Sequence, residues 1–222
     1  MHVLMASAEL APVARVGGMA EAVAGLVRQL RRDQITVTVA LPDYGGIDLA
    51  DQRTTVLDVP DWAGTVSART GTIDDLGEIT LIDGPGMAKP HPYNDPSGQA
   101  FADNDLRFFA FSAGIAAHAT ELAPDVLHVN DWHTAAALGL LGEDEAPPSV
   151  LTIHTLAYQG ICGPEWMGRL ARRAHDFAWY GDTNPLLGGI RLADRVVTVS
   201  PNYAEEILDE RHGMGLHGVL AQ

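Results

Sequence analysis

Positive charge, cysteine and long apolar runs are what this sequence has least of. Only 14 lysine and arginine side chains stand against 29 aspartates and glutamates in 222 residues, a formal net charge of −15. A surface of that sign excludes a nucleic acid or an anionic membrane as the expected partner, because both need positive charge opposite their phosphates. It leaves room for a local basic pocket. Lys89 is the single lysine, an arginine bias that reads as genomic habit. The single cysteine, Cys162, has no partner for an internal disulfide, which fits a reducing compartment. Nothing near it in sequence marks its thiol as activated, so it reads as a small buried hydrophobe. No apolar run approaches the ~18 residues of a spanning helix, and Met1 leads directly into a strand-like segment rather than a signal core. The expected location is the cytoplasm.

Several chemical signatures are also missing. There is no Walker loop, no Gly-x-Gly-x-x-Gly and no Gly-x-Ser-x-Gly elbow, so a P-loop ATPase, a dinucleotide oxidoreductase and a serine hydrolase all lack support. No His-x-x-x-His pair occurs, and Asp131-Trp132-His133 is too closely spaced to suggest a metal site, so no metal and no cofactor are expected.

What is present is a globular composition, 46% apolar and 19% charged, arranged as short apolar strands that end in polar residues. Residues 2–6 form the first strand, and helical spacing of apolar residues runs over 19–32. Between them Glu9, Pro12, Arg15, Gly17 and Gly18 fill the turn. The paired glycines can adopt positive φ and expose the first amides of the helix to an anion; packing alone is the competing explanation of Gly-Gly. Residues 35–41 give a second strand, closing a right-handed βαβ unit. Extra strands or hairpins are expected within 54–82, around 55–59 and 78–82. Residues 84–103, with His91, Tyr93 and Asn94, read as a long loop of the kind that is functional or disordered, and 104–119 as a helix whose Phe108, Phe109 and Phe111 belong to the core. Strands at 126–129, 150–153 and 195–199 follow, with helices over 134–141 and 202–208. Ser200 and Pro201 suit the start of the last helix.

The pattern predicts an α/β protein with a Rossmann-like open parallel sheet and helices on both faces. A parallel sheet gathers its carboxyl ends along one edge, where ligands bind. Glu9, Arg15, Asp131, His133 and His154 would line that edge with groups suited to a hydroxyl-rich or phosphorylated ligand.

These residues also resemble a known family. Glu9 with Pro12, Arg15, Gly17 and Gly18, then Asp131-Trp132-His133, then residues 152–160 (Thr-Ile-His-Thr-Leu-Ala-Tyr-Gln-Gly) and 193–204 (Ala-Asp-Arg-Val-Val-Thr-Val-Ser-Pro-Asn-Tyr-Ala) are similar to the bacterial glycogen and plant starch synthases, glycosyltransferase family 5. The motifs run in order from residue 1 to about 220. The resemblance implies that residues 1–222 are the amino-terminal, glucan-acceptor-side domain of a two-domain GT-B enzyme. That enzyme moves glucose from ADP-glucose, with retention, to the non-reducing end of an α-1,4-glucan without a metal. The carboxyl-terminal nucleotide-binding domain would be the missing partner, and this half alone would have little or no activity. It further implies that His154 contacts the transferred glucose, that Asp131 lies near the acceptor side, and that Arg15, Gly17 and Gly18 approach the donor phosphates. Glu9, Tyr93 and His133 would line the sugar site. Arg15-Val16 replaces the Lys-Thr usual in the family. Two other readings stay open: a GT-B transferase with another nucleotide sugar or a small acceptor, and a non-catalytic domain that binds glucan or nucleotide.

Overall fold

The computed structural model describes residues 1–142 and 146–222. Its centre is an eight-stranded sheet whose strands, in chain order, are β1 (His2–Ala6), β2 (Thr36–Pro42), β3 (Ala50–Val56), β4 (Ser67–Ile73), β5 (Gly77–Asp83), β6 (Val126–Asn130), β7 (Ser149–Ile153) and β10 (Arg195–Thr198). A separate two-stranded ribbon joins β8 (Ala178–Trp179) to β9 (Asp182–Thr183). The spatial order is β10-β7-β6-β1-β2-β5-β4-β3. All pairings from β10 through β5 are parallel, and β4 runs antiparallel to both of its neighbours. The expected parallel sheet is therefore correct for its body and mixed at one edge. The expected strand at 55–59 ends at Val56, and β4 lies within the 54–82 window of expected extra strands, though Ser-Ala-Arg-Thr-Gly-Thr-Ile carries too few apolar residues to announce its own position.

The helices are α1 (Gly18–Arg32), α2 (Asn104–Leu122), α3 (Trp132–Ala135), α4 (Ala137–Leu140), α5 (Pro185–Leu192), α6 (Pro201–Glu206) and α7 (His217–Leu220), with 3₁₀ segments at Asp61–Ala63 and Pro164–Phe177. The single helix expected over 134–141 is two short ones. In α1 the residues Met19, Ala20, Val23, Ala24 and Val27 are buried, one stripe at helical spacing. The α2 helix is apolar on nearly all sides because it lies between the sheet and an outer layer, and twelve of its residues are buried. Asn184 caps α5 by accepting the Leu187 amide at 3.0 Å, and Ser200 caps α6 by accepting the Tyr203 amide at 3.1 Å.

Strand order places the helices. The connection from β1 leads to β2 on one side, whereas β6 leads to β7 on the other, so right-handed crossovers put α1 and α3–α4 on opposite faces. Side-chain contacts agree for the second face: His118 of α2 meets Thr80 of β5, and Gly189 of α5 packs toward Leu151 of β7. The order reverses between β1 and β6, which makes the carboxyl ends of these two strands the topological switch point.

The close approach of α5 to the preceding segment needs a glycine. A Cβ placed on Gly188 would lie 2.2 Å from ring atoms of Phe177, which is fully buried. We expect Gly188→Ala to destabilise the fold by about 1–3 kcal/mol through overpacking, read as a lower urea midpoint; an unchanged midpoint would show that the contact is not tight.

Candidate functional site

The switch point is built from two loops and one long segment. Behind β1, Ser7 folds the chain back by bonding the Glu9 carbonyl at 2.7 Å, and this turns the Glu9 side chain inward. Its Oε2 accepts the amides of Val16 and Gly17 at 2.8 and 2.7 Å, and its Oε1 accepts the Tyr93 hydroxyl at 2.7 Å. Burial and the nearby Glu9 carboxylate, with Tyr44 and Asp131, all push the Tyr93 phenol upward, so it stays protonated and donates. The structure thus brings Glu9, Gly17 and Tyr93 together, across 84 residues of chain in the case of Glu9 and Tyr93.

Behind β6, Asp131 takes φ 53° and ψ −174°, a conformation that costs a side-chain-bearing residue energy and is found at functional sites. Its carboxylate turns back to accept the His154 amide at 2.7 Å. Burial pushes Asp131 up to about 7, opposed by the amides of His154 and Thr155 and reinforced by Glu9. His154, at the end of β7, has its titration lowered by burial against the opposing pull of Glu9, and its Nε2 lies 2.9 Å from Asn130 Oδ1. The ring of His133 packs among Tyr93, Phe108 and Trp132 at centroid distances of 4.9, 4.7 and 4.2 Å. Burial drives it down to about 3, with Arg107 adding to the effect. It is therefore neutral, and its buried Nδ1 has no hydrogen-bond partner among the described residues.

Arg15, Gly17 and Gly18 are arranged differently from the sequence expectation. Gly17 is extended at φ −132° and neither glycine is left-handed, so positive φ is not what the pair supplies. Packing does not require them either: a Cβ on Gly17 or Gly18 would meet nothing within 4 Å. The Gly17 amide is engaged by Glu9. Arg15 points outward, 65% exposed, with its Nε 3.2 Å from Glu21.

Two residues that hold the site were not singled out from the sequence. Tyr44 donates to the Ala8 carbonyl at 2.9 Å and steadies the β1 loop. Arg107, fully buried, donates to Asn104 Oδ1 at 2.6 Å and to the Pro92 carbonyl at 3.2 Å. With the 2.9 Å Lys89–Asp103 pair, it fixes the 84–103 segment against α2 and so holds Tyr93 over the cleft. An arginine inside the apolar run Leu106–Phe109 was the available signal. Cys162 is buried, and its thiol is pushed up to about 12 by burial and by Asp105, Glu165 and Asp182, so it is not a nucleophile. Among the described residues, no three His, Cys, Asp or Glu side chains gather as a metal site requires.

The titrations give a pH dependence. Asp131 is raised from 3.8 to about 7 on folding, so between these values the folded chain holds a proton the unfolded chain has lost. That contribution lowers stability as pH rises through the window. His133 and His128 fall from 6.5 to about 3 and about 4; they raise stability as pH rises toward 6.5. Each proton is worth about 1.4 kcal/mol per pH unit, and two histidines outweigh one carboxylate. The chain should gain stability from about pH 4 to 6.5, and Asp131→Asn should gain it more steeply. Urea unfolding at stepped pH measures both slopes, and equal slopes would refute the raised carboxylate.

With this geometry in place, the likeness to known proteins is specific. The starch synthase catalytic domain family matches residues 2–222. The chain is 39% identical over 236 residues to glycogen synthase 2 of Agrobacterium fabrum, covering 100% of this chain and 46% of that protein. Glycogen synthase of Thioalkalivibrio sulfidiphilus is 35% identical over 246 residues, covering 99% and 49%. The chain spans about half the length of the curated relatives it matches. The catalytic domain of Starch Synthase IV from Arabidopsis thaliana, solved bound to ADP and acarbose, aligns with a TM-score of 0.83 at 27% identity, over 99% of this chain and 49% of that one. Sucrose-phosphate synthase from Thermosynechococcus elongatus, at a TM-score of 0.54 and 14% identity, shares the fold alone. The sheet with its switch-point cleft is the Rossmann-like half of a GT-B fold, and the chain belongs to the starch synthase catalytic domain family.

Proposed function

We propose that this chain is the amino-terminal half of a retaining glucosyltransferase. It moves glucose from ADP-glucose to the non-reducing end of an α-1,4-glucan, with a carboxyl-terminal nucleotide-binding domain completing the cleft, and it acts in the cytoplasm. The observation that carries the reading is the cluster at the switch point: Glu9, Tyr93, Asp131, His133 and His154 converge where the structural relative, solved with ADP and acarbose, has the same fold. The glycogen synthases among the relatives point to the same chemistry.

Physically, the reaction needs two things from the protein. Departure of a nucleoside diphosphate requires cations and amides near the leaving phosphates, and a sugar passing through an oxocarbenium-like state requires hydrogen-bonding groups held around the ring. His154 and Asp131 serve the sugar, as the groups closest to the transferred glucose and to the acceptor. Glu9, Tyr93 and His133 shape the wall beside them. Arg15 and the open space over Gly17 and Gly18 serve the phosphates. Because Arg15 is exposed and its ion pair among the described residues is with Glu21, it can exchange that carboxylate for a phosphate. In a chain of net charge −15, such a local cation is required for an anionic donor.

One observation favours a second reading. Arg15-Val16 departs from the family's Lys-Thr, and a planar guanidinium meets phosphate as a fork rather than a point charge, so another nucleotide sugar is the competing donor.

The test is made in the complete two-domain protein, or in a fusion of this chain to a matching carboxyl-terminal domain. Glucose should be incorporated into glycogen from ADP-glucose in preference to the UDP and GDP sugars. Preference for either of those supports the second reading, and no incorporation from any nucleotide glucose sinks both. Arg15→Ala should weaken ADP binding about tenfold, the value of one charge-assisted hydrogen bond of about 1.5 kcal/mol, while leaving the thermal midpoint unchanged. Calorimetric titration with ADP reads it, and unchanged binding removes the role given to Arg15.

A further inference from the structure

Asn130 closes β6 with its side chain 1% exposed, and the two ends of its amide face different partners. Nδ2 lies 3.0 Å from the main-chain oxygen of Ala6 on β1 and 3.3 Å from Met5 Sδ. Oδ1 lies 2.9 Å from His154 Nε2. A main-chain carbonyl can only accept, so the end facing Ala6 has to be the amino group. Turned over, the amide would set two oxygens 3.0 Å apart with no hydrogen between them.

That orientation decides a proton on the next residue. Oδ1 is an acceptor with nothing to donate, so the hydrogen in its contact with His154 must sit on Nε2. A neutral imidazole carries one N–H, which leaves Nδ1 with a lone pair. Nδ1 is not among the buried unpaired atoms, and no described residue donates to it. The chain is thus Ala6 carbonyl, Asn130 amide, His154 Nε2–H, and an accessible Nδ1. Backbone geometry holds both ends of it: Asp131 accepts the His154 amide at 2.7 Å, and the Asn130 amide donates to Thr134 Oγ1 at 2.7 Å.

We infer that Asn130 is a positioning residue that locks His154 as its Nε2–H tautomer and so presents Nδ1 as a hydrogen-bond acceptor for a hydroxyl of the bound sugar. The identity of the hydroxyl's owner rests on the glucosyl-transfer reading above; the tautomer does not. The consequence is a selectivity. The ligand group opposite Nδ1 must donate, so a hydroxyl is accepted and a fluorine or a methyl ether in its place is not.

The charged and titratable groups that face His154 are Glu9 from the β1 loop, His128 from β6 and Asp131 from the turn after it, and none of them touches Nε2. Long-range proton–nitrogen spectra of the nitrogen-labelled chain, recorded above the His154 titration and assigned by difference from His154→Gln, read the tautomer directly. We expect His154 protonated at Nε2, with the Hε2 resonance showing a nuclear Overhauser contact to the Asn130 side chain. An Nδ1–H pattern, or Hε2 without that contact, overturns the proposal. Asn130→Ser replaces the obligate acceptor with a shorter hydroxyl that can donate or accept, and the folded variant should show a mixture of tautomers; an unchanged pure Nε2–H state there overturns the role of Asn130. Should the variant not fold, the wild-type contact still decides.

The hydroxyl is tested in the complete protein with ADP-glucose and analogues in which each sugar hydroxyl is replaced in turn by fluorine. One position should lose tenfold or more in affinity. Tolerance at every position overturns the acceptor role of Nδ1, whereas failure of ADP-glucose itself to bind removes the functional reading and with it the sugar hydroxyl, leaving the tautomer to the spectra.

Discussion

A carboxylate that is only 4% exposed needs its donors inside the protein, and Glu9 finds three of them in the Val16 and Gly17 amides and the Tyr93 hydroxyl. Removing any one partner would leave a buried charge or a buried donor short, which is more costly than the bond itself is favourable. The consequence is architectural. The loop leaving β1 can follow only the path that brings its amides to Oε2, and the 84–103 segment can lie only where Tyr93 reaches Oε1. Arg107 completes the constraint from below, donating from its guanidinium to the Pro92 and Met87 carbonyls of that segment and to Asn104 at the start of α2. One acidic side chain therefore aligns two stretches that have almost no regular secondary structure of their own.

The same charge sets the electrostatics around it. Asp131 is the second buried carboxylate of the cleft, and Glu9 helps to raise it. Two such groups repel, and the chain answers by giving Asp131 two amide donors from the end of β7 rather than a cation. Fixing those amides requires Asp131 to hold φ 53°, so the strain at that position is coupled to the placement of His154. Burial keeps His133 and His128 neutral, and the wall of the cleft consequently offers dipoles and lone pairs in place of positive charge. That is a surface for hydroxyls. It is a poor surface for a diphosphate, which calls for positive charge.

How much of this the sequence announces depends on whether a feature is periodic or relational. Apolar runs such as residues 2–6, 126–129 and 150–153 declare a parallel strand because both faces must be buried, and polar residues at their ends locate the cleft edge. The antiparallel strand Ser67–Ile73 does not declare itself, since Thr70 is satisfied by Thr80 of β5 and Arg69 by Asp43, the Ile47 carbonyl and Gln52, partners that exist only once the neighbouring segments are in place. The helix Pro185–Leu192 is hidden for another reason: Gly188 and Gly189 lower helix propensity, yet both are needed where Phe177 and Ala135 come close. Glu9, Tyr93, Asp131, His133 and His154 were legible as residue types at strand ends or in a long loop. Their partners were not, because a bond between residues 9 and 93 leaves no local pattern. The glycine pair shows the limit most clearly, since positive φ was a sound expectation and Gly17 is extended because Glu9 pulls its amide inward.

The two sides of the cleft differ in how far they are built in advance. At one end the polar groups are tied into short chains of hydrogen bonds, from the Ala6 carbonyl through Asn130 to His154 and from Glu9 to Tyr93. Such a site loses little conformational entropy on binding and discriminates by the direction of each hydrogen bond. At the other end Arg15 lies 65% exposed against Glu21, so its position is set far less firmly than those of the buried groups. Such a half-cleft fixes the direction of the hydrogen bonds at its buried end and leaves the Arg15 end to be ordered by what it meets.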